Sequence, residues 1–118
     1  MDSKIIDLLE YGKYVYELSG GKTNICFGSV LSLWHDSRQY GMNNPDDASL
    51  PDMKALKEAA KHTDINSLVI DKEKSTVYFA DPELQLDVGA VAKGYAVQEV
   101  CKWASENLWS SGAISIGG

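Results

Sequence analysis

An acidic residue, two glycines and a basic residue fall within residues 87–94 of this chain. Asp87 is followed by Gly89, Lys93 and Gly94, where a strand-like run passes into a helical pattern. The first amides of a helix have no intrahelical partners, so such a junction is a favourable place for an anion. Asp87 can cap the helix or accept hydrogen bonds from a ligand. Lys93 can lie in solvent or offset the charge of a ligand phosphate.

This glycine pattern differs from the common phosphate-binding loops. Residues 87–94 lack the Gly-Lys-Ser/Thr ending of a P-loop, and the GxGxxG pattern is absent. Generic motif reasoning therefore leaves both the structural and the ligand-binding interpretation open at Asp87 and Lys93.

The elements that must position this junction predict an α+β fold. Apolar residues at helical spacing predict a helix over residues 3–18, which ends at Gly20 and Gly21. The other predicted elements are a short helix over 27–34, a loop over 35–50, a helix from Pro51 to about His62, a hairpin of strands 68–70 and 76–79, a short strand over 84–86, a helix to about Leu108 and a strand over 113–116.

The helix after the junction carries a stripe of small and apolar residues. Gly94 in a helix interior costs about 1 kcal/mol relative to alanine, which indicates close packing at that position. The members of the stripe recur at steps of three and four and are Ala90, Gly94, Val97, Cys101, Ala104 and Leu108.

Composition narrows the function. A chain of 118 residues has room for one domain. Its net charge of −6 argues against nucleic-acid binding, which needs a positive footprint. No apolar run approaches the roughly 18 residues of a membrane span. Cys26 and Cys101 show no metal-binding spacing, and we expect both to be core thiols.

Three segments carry a resemblance to one family. Residues 86–97, LDVGAVAKGYAV, closely resemble the signature of the FAD:protein FMN transferases, the ApbE family. Residues 18–34 resemble that family's segment of a Gly-Gly turn, an aspartate, a glycine-proline and a Leu-Trp. Residues 114–118 resemble the beginning of its Asn-x-Gly-Gly-Asp turn. The three matches occur in the family's order, and the resemblance covers about residues 5–118.

The resemblance implies a fold and a reaction. The implied fold has mixed helices and an antiparallel sheet, as part of an ApbE-like (T-fold-like) domain, with residues 1–118 as a single partial domain from its central portion. Members transfer FMN from FAD to a threonine or serine hydroxyl of a target flavoprotein and release AMP. Some relatives instead hydrolyse FAD to FMN and AMP. Both reactions use Mg²⁺ or Mn²⁺, which stabilises charge on the pyrophosphate.

The resemblance also implies site residues. Ala90 would offer its backbone carbonyl to the metal, and the helix should then begin at about Val91. The positions that match FAD-contacting residues of the family are Lys22, Thr23, Asn24, Asp87 and Lys93.

Some positions depart from the family pattern. Asn24 stands where the family usually has aspartate, Cys26 where it has threonine, and Ser29 where it has proline. The family's other metal ligands would lie beyond Gly118, and a flavin-contacting segment would precede Met1. We therefore expect a piece of a longer protein that alone neither transfers FMN nor binds metal strongly.

Three functions stay open from the sequence: an FMN transferase, an FAD pyrophosphatase and a non-catalytic flavin-binding domain. The family implies an extracytoplasmic, lipid-anchored bacterial protein, although no signal or anchor is recognisable in this chain. We expect structural roles for His35 and Trp34, and for His62 a favourable interaction with a helix dipole.

Overall fold

The fold is described by a computed structural model that covers residues 1–117. Four α-helices and one antiparallel hairpin form over these residues, which confirms the predicted α+β class. The helices are α1 (Ser3–Leu18), α2 (Gly28–Asn43), α3 (Met53–Ala59) and α4 (Gly89–Asn107), and the strands are β1 (Leu68–Asp71) and β2 (Thr76–Phe79). Short 3₁₀ turns cover Pro45–Asp47, Ala60–His62 and Ile65–Ser67.

Helix α1 has the predicted bounds because both of its ends are capped. Asp2 caps the first turn. At the other end, the amide of Gly20 donates to the carbonyl of Glu17 at 3.1 Å, and the amide of Gly21 donates to Tyr16 at 2.8 Å. The two glycines have φ of +62° and +80°. This is a Schellman motif, which needs the left-handed backbone that glycine adopts without strain.

Helix α2 is longer than predicted. It continues past Trp34 to Asn43, through residues that the polar composition had assigned to a loop. Most of the polar side chains after Trp34 face solvent. A solvated helical turn and a loop can have the same polar composition. The sequence therefore has no apolar period that would mark the end of α2 at Asn43. The helix ends where the amide of Asn44 donates to Tyr40 at 2.8 Å.

Helix α3 begins later and ends earlier than predicted. Asp52 is its N-cap, and its side chain accepts a 2.9 Å hydrogen bond from the amide of Ala55. Pro51 therefore precedes the cap instead of occupying the first turn. The predicted end at His62 falls in a 3₁₀ turn, Ala60–His62, that continues from the helix.

Two predicted strands do not form within residues 1–117. Residues 84–86 and 113–116 are irregular, and β1 and β2 make up the sheet in the described part of the chain. A strand requires a neighbour to share a continuous hydrogen-bond ladder. The hairpin has one, with Leu68 opposite Phe79 and Asp71 opposite Thr76.

The core lies where α1, the segment around Ile25 and β1 meet. Gly12 of α1 is buried, and a Cβ there would lie 2.5 Å from Cδ1 of Ile25. Cys26 is fully buried, as predicted, whereas Cys101 is only partly buried. The main core cluster contains Leu9, Ile25, Cys26, Ile65, Leu68, Leu84 and Val91.

The predicted stripe on α4 is only partly buried. Ala104 is buried, but Ala90, Gly94 and Leu108 are exposed. The expectation of close packing at Gly94 is wrong, because a Cβ there would meet no atom within 4 Å. The helix instead contacts α1 through a rotated face, where the rings of Tyr11 and Tyr95 lie 5.4 Å apart.

Candidate functional site

Two backbone hydrogen bonds join the segment after α1 to the segment before α4. The amide of Asp87 donates to the carbonyl of Ile25 at 2.8 Å, and the amide of Gly28 donates to the carbonyl of Gln85 at 3.0 Å. These segments belong to the first two stretches that resemble the family. The fold therefore places them side by side, although they are far apart in the sequence.

Gly28 makes this junction possible. A Cβ at this position would lie 2.6 Å from the carbonyl oxygen of Gln85, a contact that real Cβ atoms essentially never make. Gly28 is also the first residue of α2 and is buried. The absence of a side chain thus allows the start of α2 to approach the chain that leads to Asp87.

Asp87 stabilises the start of α4. Its Oδ1 accepts a 2.7 Å hydrogen bond from the amide of Gly89, and the side chain is half-buried. The helix begins at Gly89, two residues before the predicted start at Val91. The cause is the carbonyl of Val88, which accepts from the amides of both Val91 and Ala92.

The proposed metal ligand Ala90 lies in the first turn of α4. A carbonyl in a regular α-helix is directed at the amide four residues ahead, here that of Gly94. Mg²⁺ takes octahedral oxygen ligands, several of them often water. Within residues 1–117 no cluster of three or more His, Cys, Asp or Glu side chains could hold a metal. The described residues therefore supply too few side-chain ligands to hold a metal ion by themselves.

Hydrogen bonds fix the segment that contains Lys22, Thr23 and Asn24. The amide of Thr23 donates to Oγ of Ser19 at 2.9 Å. The Asn24 side chain accepts from the amide of Cys26 at 2.9 Å and donates to the carbonyl of Thr63 at 2.8 Å. The amide does both, whereas an ionised aspartate, which the resemblance implies at this position, would face the carbonyl with a negative charge. The side chain of Lys22 is left exposed.

The predicted site residues line two neighbouring clefts. Asp87 lines a cleft of about 800 Å³ along α2. Lys22 and Asn24 line a second cleft, of about 540 Å³, and Leu31 borders both. Lys93 points toward the end of the described chain. Its Nζ lies 3.6 Å from the position that a Cβ added to Gly117 would occupy.

Lys93 of α4 thus lies beside the third matched segment, although Gly118 of that segment lies outside the described residues. Thr23 contributes its backbone to the loop and lines neither of the two clefts.

Sequence reasoning missed an ion pair beside these clefts. Nδ1 of His62 lies 2.8 Å from a carboxylate oxygen of Asp81, and Nε2 lies 3.4 Å from Glu83. The hydrogen bond to Asp81 raises the pKa of His62, and nearby carboxylates add to this effect. The pKa of Asp81 is lowered, first by the amide of Glu83 and then by His62. No local sequence motif predicts the His62–Asp81 pair, because its two residues lie on separate elements.

Ser29 replaces the proline of the family pattern with a hydroxyl that makes a tertiary contact. It is buried, and its Oγ donates to the carbonyl of Ala59 at 3.1 Å, with the carbonyl of His62 at 3.4 Å. This hydroxyl connects the start of α2 to the end of α3.

These features define an α+β domain in which a glycine-containing turn and the start of a helix meet a second segment beside a cleft. The chain belongs to the ApbE family, whose model matches residues 1–118. It is 31% identical to the FAD:protein FMN transferase of Treponema pallidum over 123 residues, which cover all of this chain and 32% of that protein. It is 25% identical to the Klebsiella pneumoniae enzyme of the same name, covering 97% of this chain and 34% of that protein.

Two solved structures show the same fold. The ApbE protein of Thermotoga maritima superposes with a TM-score of 0.71 at 25% identity, over 90% of this chain and 32% of that chain. A mutant of the flavin transferase ApbE from Vibrio cholerae gives a TM-score of 0.80 at 22% identity, over all of this chain and 36% of that one. The chain thus spans about a third of the length of its relatives. Within residues 1–117, no helix is long and apolar enough to cross a membrane.

Proposed function

We propose that this chain forms part of the FAD site of an FAD:protein FMN transferase. The observation that supports this most directly is the hydrogen bond between Asp87 and Ile25. It joins the two longest segments that resemble the family, and it does so at the edge of a cleft. The relatives that match this chain are named FAD:protein FMN transferases, and the match covers about a third of their length.

The proposed reaction transfers FMN to a threonine or serine hydroxyl of an acceptor protein. The hydroxyl oxygen attacks the phosphorus of the FMN half and its proton is released to solvent, while the pyrophosphate bond breaks and AMP leaves with the electron pair. A bound Mg²⁺ would stabilise the charge on the pyrophosphate oxygens. Ala90 would contribute its carbonyl through the lone pair that is not directed at the amide of Gly94, and the other ligands would have to come from outside residues 1–117.

The chain's own residues would bind and orient the dinucleotide. Lys93 lies near the start of α4, where a positive charge and the helix dipole both favour phosphate. Asp87 offers a carboxylate at the edge of the cleft along α2, and Lys22 offers a charge in the neighbouring cleft. Asn24 would act by holding the loop that carries Lys22, since its amide is used within the fold.

A chimera tests the proposed function. Residues 1–118 would replace the corresponding third of the Treponema pallidum relative, and the product would be incubated with FAD, Mg²⁺ and a threonine-containing acceptor. We expect covalently bound flavin on the acceptor, with loss of product in an Asp87→Ala chimera and normal product in an Asp46→Ala chimera. Free FMN without covalent flavin would indicate an FAD pyrophosphatase instead.

A folded chimera that gives neither product would contradict both enzymatic functions and leave a flavin-binding domain. We also propose, from family resemblance alone, that the whole protein is extracytoplasmic and membrane-anchored. Surface labelling of intact cells checks this, and a signal confined to lysed cells would contradict it.

A further inference from the structure

We propose that strand β2 is a self-association surface, through which two copies of this chain pair antiparallel and join their hairpins into one four-stranded sheet. The two-fold axis of this dimer passes beside Tyr78 of each copy. The inference does not depend on the proposed function, because it concerns the hairpin and involves no ligand.

The hydrogen bonds of the hairpin determine which backbone groups point outward. In an antiparallel pair, positions that exchange hydrogen bonds alternate with positions that do not. The amide of Ala80 donates to the carbonyl of Ser67 at 2.8 Å, so these two residues are a bonded pair. In the register of the hairpin, Tyr78 is then bonded to β1, whereas Val77 and Phe79 are not. The N–H and C=O groups of Val77 and Phe79 therefore point away from β1.

The two outer edges of the hairpin differ in how they are covered. At the edge of β1, Nζ of Lys13 donates to the carbonyl of Leu68 at 2.6 Å. At the edge of β2, no backbone group of residues 1–117 outside the hairpin bonds to Val77 or Phe79. Proteins usually protect such an edge with a charge, a proline or a bulge. Strand β2 has no charged residue and no proline, and its pairing with β1 is continuous.

The outward groups of β2 are complementary to themselves. Val77 and Phe79 lie on either side of Tyr78 in the sequence. When a second copy lies antiparallel about a two-fold axis at Tyr78, Val77 of each copy is opposite Phe79 of the other, and each such pair can exchange two hydrogen bonds. A contact of this kind uses the same patch on both copies and closes on itself. A second copy therefore satisfies the free groups of both edges at once.

Side chains on both faces of the hairpin favour the same pairing. On the solvent face, Tyr78 is 66% exposed and its cross-strand neighbour Val69 is 47% exposed. The dimer places the two Tyr78 rings opposite each other, and aromatic cross-strand pairs stabilise a sheet. On the other face, Phe79 is 40% exposed, although its neighbour Leu68 is fully buried in the core. Val77 of the second copy extends this core across Phe79.

The charges that flank β2 favour the antiparallel arrangement over the parallel one. The side chain of Lys74, in the turn before β2, is 78% exposed, and that of Glu83, after β2, is 72% exposed. Antiparallel pairing at Tyr78 brings Lys74 of one copy near Glu83 of the other, whereas parallel pairing would bring each beside its own like charge. Because β2 itself is uncharged, a chain with a net charge of −6 can associate here without like charges in the seam.

Charge substitutions at Tyr78 test both the surface and its symmetry. A contact of one strand pair is small, so we expect a weak dimer, which sedimentation velocity should detect at about 0.1–1 mM of the chain. Tyr78→Lys and Tyr78→Glu should each weaken dimerisation by at least about tenfold, because position 78 faces itself across the axis. An equimolar mixture of the two variants should form a dimer again. Tyr14→Lys, which adds the same charge at a 57% exposed tyrosine of α1, should leave dimerisation unchanged.

Hydrogen exchange locates the contact. The outward amides of Val77 and Phe79 should exchange more slowly as the protein concentration rises, whereas the amide of Tyr78, already bonded to β1, should change far less. A parent chain that is monomeric at about 1 mM would overturn the inference. So would a dimer that persists in both Tyr78 variants, or protection that rises elsewhere and not at Val77 and Phe79. With circular dichroism showing folded variants, a mixture that associates no better than either variant alone would overturn the two-fold pairing at Tyr78.

Discussion

The amide of Asp87 lies 2.8 Å from the carbonyl of Ile25, in a hydrogen bond that joins the start of α4 to the segment before α2. Ile25 is itself buried against Gly12 of α1. The carboxylate that we assign to ligand binding is thereby tied to the core. Substitutions that open this junction should affect binding without touching the carboxylate.

Gly28→Ala should open the junction. The new Cβ would lie 2.6 Å from the carbonyl oxygen of Gln85, so the backbone must shift and lose the Gly28–Gln85 hydrogen bond. We expect a loss of about 1–3 kcal/mol in the free energy of unfolding, measured by urea denaturation. Gly94→Ala is the matched control, since its Cβ meets no atom within 4 Å. It should stabilise the chain by up to about 1 kcal/mol. Equal effects of the two substitutions would show that no close approach exists at Gly28.

Asn24→Asp should destabilise the loop that carries Lys22. The substitution keeps the acceptor for the amide of Cys26 but replaces the donor to the carbonyl of Thr63 with a negative charge. At neutral pH we expect a cost of about 1–3 kcal/mol in the free energy of unfolding. Below about pH 3 the cost should shrink, because a protonated carboxyl can donate to Thr63. A variant as stable as the parent at both pH values would contradict this hydrogen bond.

His62 should make stability depend on pH. Its folded pKa is raised above the ordinary value of 6.5, first by the hydrogen bond to Asp81. The protonated imidazole therefore stabilises the fold fully below pH 6.5, and this contribution is lost as the pH rises through the raised value. The lowered pKa of Asp81 acts in the opposite sense. Its contribution is present above 3.8 and is lost as the pH falls through the lowered value.

The His62–Asp81 pair should thus stabilise most strongly between pH 3.8 and pH 6.5. Urea midpoints at about pH 5.5 and about pH 8.5 would measure the decline on the alkaline side. His62→Gln should reduce that decline. The same decline in His62→Gln as in the parent chain would exclude His62 as its source.

The two thiols should differ in reactivity. Cys26 is fully buried, and burial raises its pKa to about 11. Cys101 is only partly buried. A thiolate is the reactive form, so a thiol reagent should modify Cys101 in the folded chain and Cys26 only on unfolding. Mass spectrometry of Cys101→Ser and Cys26→Ala variants would assign each site. Fast modification of Cys26 under native conditions would contradict its place in the core.

The sequence predicts correctly those elements whose ends are marked by local residues, such as a terminating glycine or a polar turn. Helix α1 was placed correctly because Gly20 and Gly21 terminate it. The hairpin was placed correctly because two β-rich runs flank a polar turn. Helix α2 was cut short because its second half faces solvent, so no apolar period marks the continuation to Asn43.

The sequence could not predict contacts that depend on tertiary position. The close approach at Gly28 and the Ser29 hydroxyl bond to Ala59 involve residues on separate elements. Conversely, a glycine in a helix suggested packing at Gly94, where the structure shows open space. Glycine is thus closely packed at position 28 and surrounded by open space at position 94. Only the tertiary structure distinguishes these two environments. Motif resemblance predicts the candidate site residues, whereas the cleft beside Asp87 depends on the continuation of α2 beyond Trp34.

An FAD titration of this chain, followed by flavin fluorescence with and without Mg²⁺, tests the central claim most directly. The account predicts saturable binding that Asp87→Ala and Lys93→Ala each weaken by about tenfold. Asp46→Ala and Lys54→Ala, which remove matching charges from exposed positions, should leave the affinity unchanged. The contrary result would be saturable FAD binding that is weakened equally by all four substitutions. It would show that Asp87 and Lys93 have no specific part in a flavin-nucleotide site.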